Sequence, residues 1–292
     1  MSSETFDPLE PRLDVGDWIS GAFDWFTDTF QPVLDVVDTV LDGAYDGVYR
    51  VLSGPPFLSM IVLFAALGWL ARSWRFAVFA AAGFYLIAAM DRWDGAMQTL
   101  SLVLVSAFIA TAIAVPLGIW SARSAAVSNV LRPVLDFMQT MPAMVYLIPT
   151  LFAFGIGVVP GMISTVVFAM PPGVRLTELA IRQVDAEVVE AGHAFGSSPA
   201  RILRQIQLPL ALPTIMAGIN QVIMLSLSMV VLAAMVGAAG LGLDVVSALQ
   251  QLNVGRGVEA GLAVVVLAIY LDRIVAALAD RAPVVRATKV RS

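Results

Sequence analysis

The chain has 292 residues, 59% of them apolar and only 13% charged. A soluble domain carries about 25% charged residues, so this balance indicates an integral membrane protein. The absence of cysteine excludes a disulfide framework and a thiolate metal site. A single histidine argues against a zinc enzyme, and no GxxxxGK[ST] loop supplies an ATP site.

The net charge of −5 is uneven: residues 1–50 hold eleven of the 22 acids but two of the 17 bases. The remainder is mildly basic and lacks the basic stripe of a nucleic-acid binder. The acidic N-terminus lacks the basic start, apolar run and cleavage site of a signal peptide. From about Val15 to Tyr49, Asp24, Asp28, Asp35, Asp38, Asp42 and Asp46 recur at helical spacing, with aromatic and branched apolar residues between them. The pattern predicts an amphipathic helix broken near Pro32, lying on a membrane surface or against the spans. Ser53-Gly-Pro-Pro56 closes this module, giving an N-terminal extension over 1–56.

Seven apolar runs follow, near 57–71, 74–90, 97–120, 141–159, 161–181, 210–236 and 258–278. A span needs about 20 apolar residues at a rise of about 1.5 Å. The first two runs are short and separated only by Arg72–Trp74, so they read as a tight hairpin of thin spans or a membrane-embedded hairpin. The membrane domain is taken as 57–280, with a basic tail over 281–292. If the N-terminus lies outside, thirteen of the 17 bases fall in the cytoplasm, and Arg12, Arg50, Arg92 and Arg256 remain outside. That expectation puts residues 182–208 and the C-terminus in the cytoplasm.

The polar strip EAGHAFGSSPARILRQIQLP, Glu190–Pro209, interrupts the apolar runs. Asp185 is an expected N-cap for a first short helix, with Glu187 and Glu190 near its positive end. Gly196 stands where a left-handed residue ends that helix. Ser198-Pro199 opens a second helix, and Pro209 is expected to stop it. Apolar residues on both helices make a short knuckle, which local physics leaves open either to pack on its own bundle or to dock into a groove. His193 reads as a surface residue.

The strip resembles the EAA signature of membrane subunits of binding-protein-dependent ABC importers. That signature reads E-A-A, three residues, G, nine residues, I-x-L-P. Here Glu190-Ala191-Gly192, Gly196 and Ile206-Gln207-Leu208-Pro209 fall at that spacing, with Gly192 in place of the third alanine. Leu135–Pro149, Met170–Val184, Met235–Gly242 and Ala268–Ile274 look like the subgroup serving glycine betaine, proline and related osmoprotectants. The N-terminal module is similar to the amphipathic extension of the glycine betaine/proline permease.

The resemblance implies an all-α polytopic fold of the type I ABC importer class, with about seven spans and an N-terminal amphipathic helix, in the inner membrane of a prokaryote. It implies coupling helices at about 185–208, where Glu190, Ala191, Gly192, Gly196, Ile206, Leu208 and Pro209 meet an ABC ATPase subunit. Further implied partners are an extracytoplasmic binding protein, a second copy of the permease and the bilayer. No cofactor is implied in this chain, since ATP and Mg belong to the ATPase.

Uncharged polar residues in the spans are path candidates: Gln139, Thr140, Tyr146, Asn220, Gln221, Ser226 and Ser228. Each is equally able to bond helix to helix. Arg175 and Glu178 are spaced to pair on one helix face, and Asp272 and Arg273 read as interfacial anchors. Pro116, Pro149, Pro171 and Pro172 read as kinks or tolerated local breaks. A permease for another small solute is the alternative. A secondary carrier or channel needs intramembrane ionisable residues or an inverted repeat, and an intramembrane enzyme needs a nucleophile–base pair; neither is evident.

Overall fold

The structure is a computed structural model that describes residues 15–280. The expected basic tail and Arg12 lie outside the described residues. Twelve helices are found among them, and no strand. Helix α1 (Val15–Ser53) is unbroken, contrary to the expected interruption at Pro32. Pro32 is exposed, so the carbonyl that loses its donor there is open to solvation. No side chain from 16 to 44 is fully buried, and Trp18, Trp25, Phe26 and Phe30 all stay exposed. Only the C-terminal part docks, through buried Tyr45 and Leu52 and a Tyr49 hydroxyl that donates to Asp94. A 98° bend at residues 54–56 separates α1 from α2 (Phe57–Ala71).

Helices α2 and α3 (Trp74–Ala89) form a hairpin around Arg72-Ser73, whose serine caps α3 by accepting from Phe76 N. At 15 and 16 residues they reach about 23 Å, short of a hydrocarbon core of about 30 Å. Their aromatic rings hold them to the bundle. Phe64 stacks on Phe84 at 4.3 Å, and Tyr270 lies edge-on to Phe84 and donates to the Phe64 carbonyl at 3.1 Å.

The core is three helices: α4 (Trp93–Arg123), α7 (Val158–Arg182) and α10 (Leu208–Ala233). Small residues let them approach. A Cβ on Gly118 would lie 2.5 Å from Thr177 Cβ, so only glycine fits there. Pro116, Pro171 and Pro172 sit inside α4 and α7 without ending them. Helix α12 (Val254–Asp280) completes the wall.

Three features depart from the runs read in the sequence. The fourth run is not one span. An amphipathic helix α5 (Ala125–Thr140) turns through 108° into a 3₁₀ turn (Ala143–Tyr146) and the eight-residue α6 (Leu147–Phe154). Pro142 forces Met141 into extended backbone, at ψ 134°, and so sets the break. Second, residues 199–236 are one continuous helical rod. The short helix α9 (Pro199–Ile202) passes through a π turn (Leu203–Gln207) directly into α10, so Pro209 does not stop it. Proline lacks the N–H that would bond residue 205, and the widened turn, with Leu208 N donating to Leu203 O, accommodates it. Third, helix α11 (Leu241–Gln250) lies between α10 and α12 where no element was expected. Gly240, at φ +119°, opens it, and the Thr99 hydroxyl caps it by accepting from Leu241 N at 2.9 Å.

Four rods among the described residues are long and apolar enough to cross a bilayer: α4, α7, the 199–236 rod and α12. The bent α1–α2 and α5–α6 pairs and the shorter helices α3 and α11 supply further apolar segments.

Candidate coupling surface and inner mouth

Helix α8 (Ala186–Ala194) begins as its sequence dictates: Asp185 accepts from Glu187 N at 2.9 Å. It ends in a Schellman turn. Gly196 sits at φ +74°, its N–H donates to His193 O at 2.9 Å, and Ser197 N donates to Gly192 O at 3.1 Å. Ser198 Oγ then accepts from Arg201 N, with Pro199 in the first turn of α9.

The two helices close on each other at Gly192. A Cβ there would stand 2.9 Å from Ile206 Cδ1 and 3.3 Å from Ile202 Cγ1. Gly192 is therefore in close contact with Ile206 and Ile202, whose side-chain ends are the nearest atoms. Ile202 and Leu203 are buried, and Leu203 joins Ala180, Ile181, Ala211 and Ile215 in a cluster shared with α7 and α10. The knuckle is therefore fixed to the spans by apolar packing at its base.

Its outward surface is different. Glu190, Ala191, His193 and Gly196 are exposed, and Phe195 at the tip is 89% exposed. Arg201 and Arg204 border a hollow of about 280 Å³ with Ser198, Ala200 and Gln205. Leu208 and Pro209 are half-buried where the rod enters the bundle. The knuckle thus exposes one aromatic side chain and, separately, two guanidinium groups, the residue types that anchor protein interfaces.

Beside the knuckle, α7 carries a buried carboxylate. Glu178 is 8% exposed and accepts from Ser121 Oγ at 2.6 Å and Ser128 Oγ at 2.7 Å. Arg132 and Arg182 pair with it at 3.3 and 3.0 Å. Arg175 does not pair with Glu178 as expected; it meets Asp136 on α5. Glu178 is thus no interfacial anchor, because two hydroxyls and two guanidiniums replace its water. Its i+4 neighbour Arg182 was the readable sign that was overlooked.

At the opposite end of the bundle, Arg92 pairs with Asp244 at 3.2 Å and Glu259 at 3.1 Å, and Arg256 reaches Asp244 at 3.0 Å. Arg92 and Arg256, two of the four bases expected on the far side of the membrane from the knuckle, are therefore neighbours.

The path candidates do not form one group. Gln139 and Thr140 are exposed at the end of α5, and Gln221 and Ser228 are exposed on α10. Ser226 is enclosed and donates to Val222 O at 2.8 Å. Tyr146 is buried, and its hydroxyl donates to Met138 O across the α5–α6 bend. Asn220 Nδ2 donates to Asp272 Oδ1 at 2.9 Å, so Asp272 serves α10 rather than only the interface.

Residues 114–282 match the family described as the binding-protein-dependent transport system inner membrane component. This span takes in the knuckle and the whole three-helix core but for the first two-thirds of α4. The chain belongs to this family. Among curated relatives, the glycine betaine transport system permease protein OpuAB of Bacillus subtilis is 50% identical over 264 residues, 90% of this chain and 94% of the relative. The glycine betaine/carnitine transport permease protein GbuB of Listeria monocytogenes is 47% identical, over 94% and 99%. The glycine betaine/proline betaine permease protein ProW of Escherichia coli is 42% identical, over 94% and 79%. A chain of the inward-facing MetNI methionine ABC transporter shares the fold, with TM-score 0.55 and 24% identity over 70% of this permease and 96% of that chain. The chain is thus a multi-pass ABC importer permease of the type I fold.

Proposed function

We propose that this permease carries glycine betaine, proline betaine or a closely related quaternary-amine solute, delivered by a separate binding protein and driven by an ATPase subunit. The observation that carries the coupling half of the reading is the knuckle: a capped pair of helices, rooted in α7 and α10, that exposes Phe195 at the turn and Arg201 and Arg204 on the second helix and the turn after it. The substrate half rests on relatives 42–50% identical to this chain that are named as glycine betaine permeases.

In this reading Glu190, Ala191, Gly192, Gly196, Ile206, Leu208 and Pro209 shape the ATPase contact. ATP and Mg act on that partner, whose closure shifts the permease between two states. A ligand shifts such an equilibrium only by its differential affinity for the two states, and a swing from 1:99 to 99:1 takes about 5.5 kcal/mol. Two permease copies flank the path. Gln139, Thr140, Gln221 and Ser228 line it, supported from behind by Tyr146, Asn220 and Ser226. Neutral polar groups let a zwitterion pass without trapping it. Residues 1–56 form an extension outside the cytoplasm, 57–280 the membrane domain and 281–292 a cytoplasmic tail, so that the knuckle faces the cytoplasm.

The test is reconstitution with the ATPase and binding protein of the same system, followed by uptake of radiolabelled glycine betaine, proline and choline. ATP-dependent uptake of at least one is expected. Failure of all three rejects the osmoprotectant assignment and leaves the permease family untouched.

A further inference from the structure

We propose that a polar ladder between α5 and α7 transmits the knuckle's motion to the α5–α6 bend, with Glu178 as its positioning residue. This rests on the proposed coupling role of the knuckle and deepens it.

On α5, Ser128, Arg132 and Asp136 recur every four residues and therefore share one face. On α7, Arg182, Glu178 and Arg175 share the facing stripe. The rungs meet in opposite order along the two helices. Ser128 and Arg132 reach Glu178, Asp136 reaches Arg175, and Arg182 closes the lower end by pairing with Glu178 and donating to Ser121 O at 3.0 Å. Ser121 brings the end of α4 into the same knot. Leu135, buried against Ala114 and Val174, packs between the polar rungs.

Both ends of the ladder lie at moving parts. Arg182 stands three residues before Asp185, which caps the knuckle. Asp136 stands five residues before Met141, where the chain bends through 108°. Just beyond Asp136, the Met138 carbonyl accepts from Tyr146 across that bend, and Ser164 on α7 donates to the Tyr146 carbonyl at 3.1 Å. Apolar packing alone lets one helix slide along another. A buried carboxylate with four directional partners does not, because sliding strands a charge away from water. Displacement of the α7 end therefore takes α5 with it, and Gln139 and Thr140 ride on α5.

The chain has no cysteine, so labels enter this subunit only at the introduced positions, and labelled copies are diluted in unlabelled ones and joined with cysteine-free partners so that the pair within one copy is read. Spin labels at Phe137→Cys on α5 and Gln183→Cys beside the knuckle, both exposed positions outside the knuckle contact and the proposed path, report the two members. In the reconstituted complex the distance between them is expected to stay the same with and without ATP. In Glu178→Gln it is expected to broaden, with solute moved per ATP hydrolysed falling at least fivefold while hydrolysis stays within about threefold. Arg175→Asp, at a partly exposed site, is expected to lose coupling, and Asp136→Arg added to it to restore it. A merely structural role lowers protein yield without changing the solute-to-ATP ratio. A label distance that changes with ATP in the unmodified protein, or full coupling in Glu178→Gln and Arg175→Asp, overturns the proposal. Absence of uptake by the unmodified complex counts against the permease reading instead, and the label distances still decide the ladder.

Discussion

Replacing Gly196 with valine separates the shape of the knuckle from its presence. The residue sits at φ +74°, and a Cβ built there meets nothing within 4 Å. The cost is therefore in the backbone and not in crowding. An L-residue in this left-handed region costs roughly 1–2 kcal/mol, and a β-branched one is a true outlier. Two turn hydrogen bonds, Gly196 N to His193 O and Ser197 N to Gly192 O, depend on the same geometry, each with a net contribution of about 0.5–1.5 kcal/mol. Together these come to about 2–5 kcal/mol, which at 1.4 kcal/mol per factor of ten costs the native turn roughly one and a half to three and a half orders of magnitude against its alternatives. The total does not exceed the lower end of the roughly 5–15 kcal/mol of a typical fold, and the base of the knuckle at Leu203, Ile181 and Ile215 is untouched. The variant is expected to accumulate in the membrane but to move solute at least tenfold more slowly than it lets ATP be hydrolysed. Asparagine tolerates the left-handed region, so Gly196→Asn is expected to retain most coupling. The assay is uptake and phosphate release measured on the same proteoliposomes. Equal transport by the valine variant and the unmodified protein would refute the reasoning, as would equal damage by asparagine and valine.

Other consequences are more local. Gly118→Leu drives a side chain into Thr177 and the Val174 carbonyl, 2.5 and 2.7 Å from the Cβ position; a loss of at least about 1–3 kcal/mol is expected, seen as a lower thermal midpoint in detergent. Thr99→Val leaves Leu241 N without its acceptor. That costs about 1–3 kcal/mol and is expected to speed hydrogen exchange over the first turn of α11, whereas unchanged exchange there counts against the cap. Protease added to sealed vesicles is expected to cut α1 only from the side opposite the knuckle. Cutting from the knuckle side reverses the assigned orientation.

What could be read from the residues was local or periodic. The caps at Asp185 and Ser198 and the left-handed Gly196 depend on side chains within a few positions, so the knuckle's turn is legible in the strip itself. The apolar runs mark α2, α3, α4, α7 and α12 because burial in lipid needs length above all. Hydropathy failed at 141–159, where Pro142 fixes a bend from α5 at the start of the run and Gly155–Gly157 divide the run between α6 and α7. It also missed α11, whose start depends on Thr99, 142 residues distant from Leu241 in the chain. The partners of Glu178 were not legible for a similar reason: Ser121, Ser128 and Arg132 meet it only after α4 and α5 have folded back. Pro209 was misread because proline usually ends a helix, and here a π turn absorbs it.

That π turn also bears on why the signature keeps a constant length. A loop between knuckle and span would absorb the gain or loss of a residue. A continuous rod does not, because each residue advances the helix by about 100°. The widened turn at 203–207 already holds the one extra residue that an i→i+5 turn takes in, so a residue added to or removed from the regular turns beside it would turn Arg201, Ser198 and the Phe195 tip by about a quarter of a circle relative to α10. The nine positions between Gly196 and Ile206 thus set a phase: they determine the direction in which the knuckle points, and an insertion there redirects it without unfolding anything.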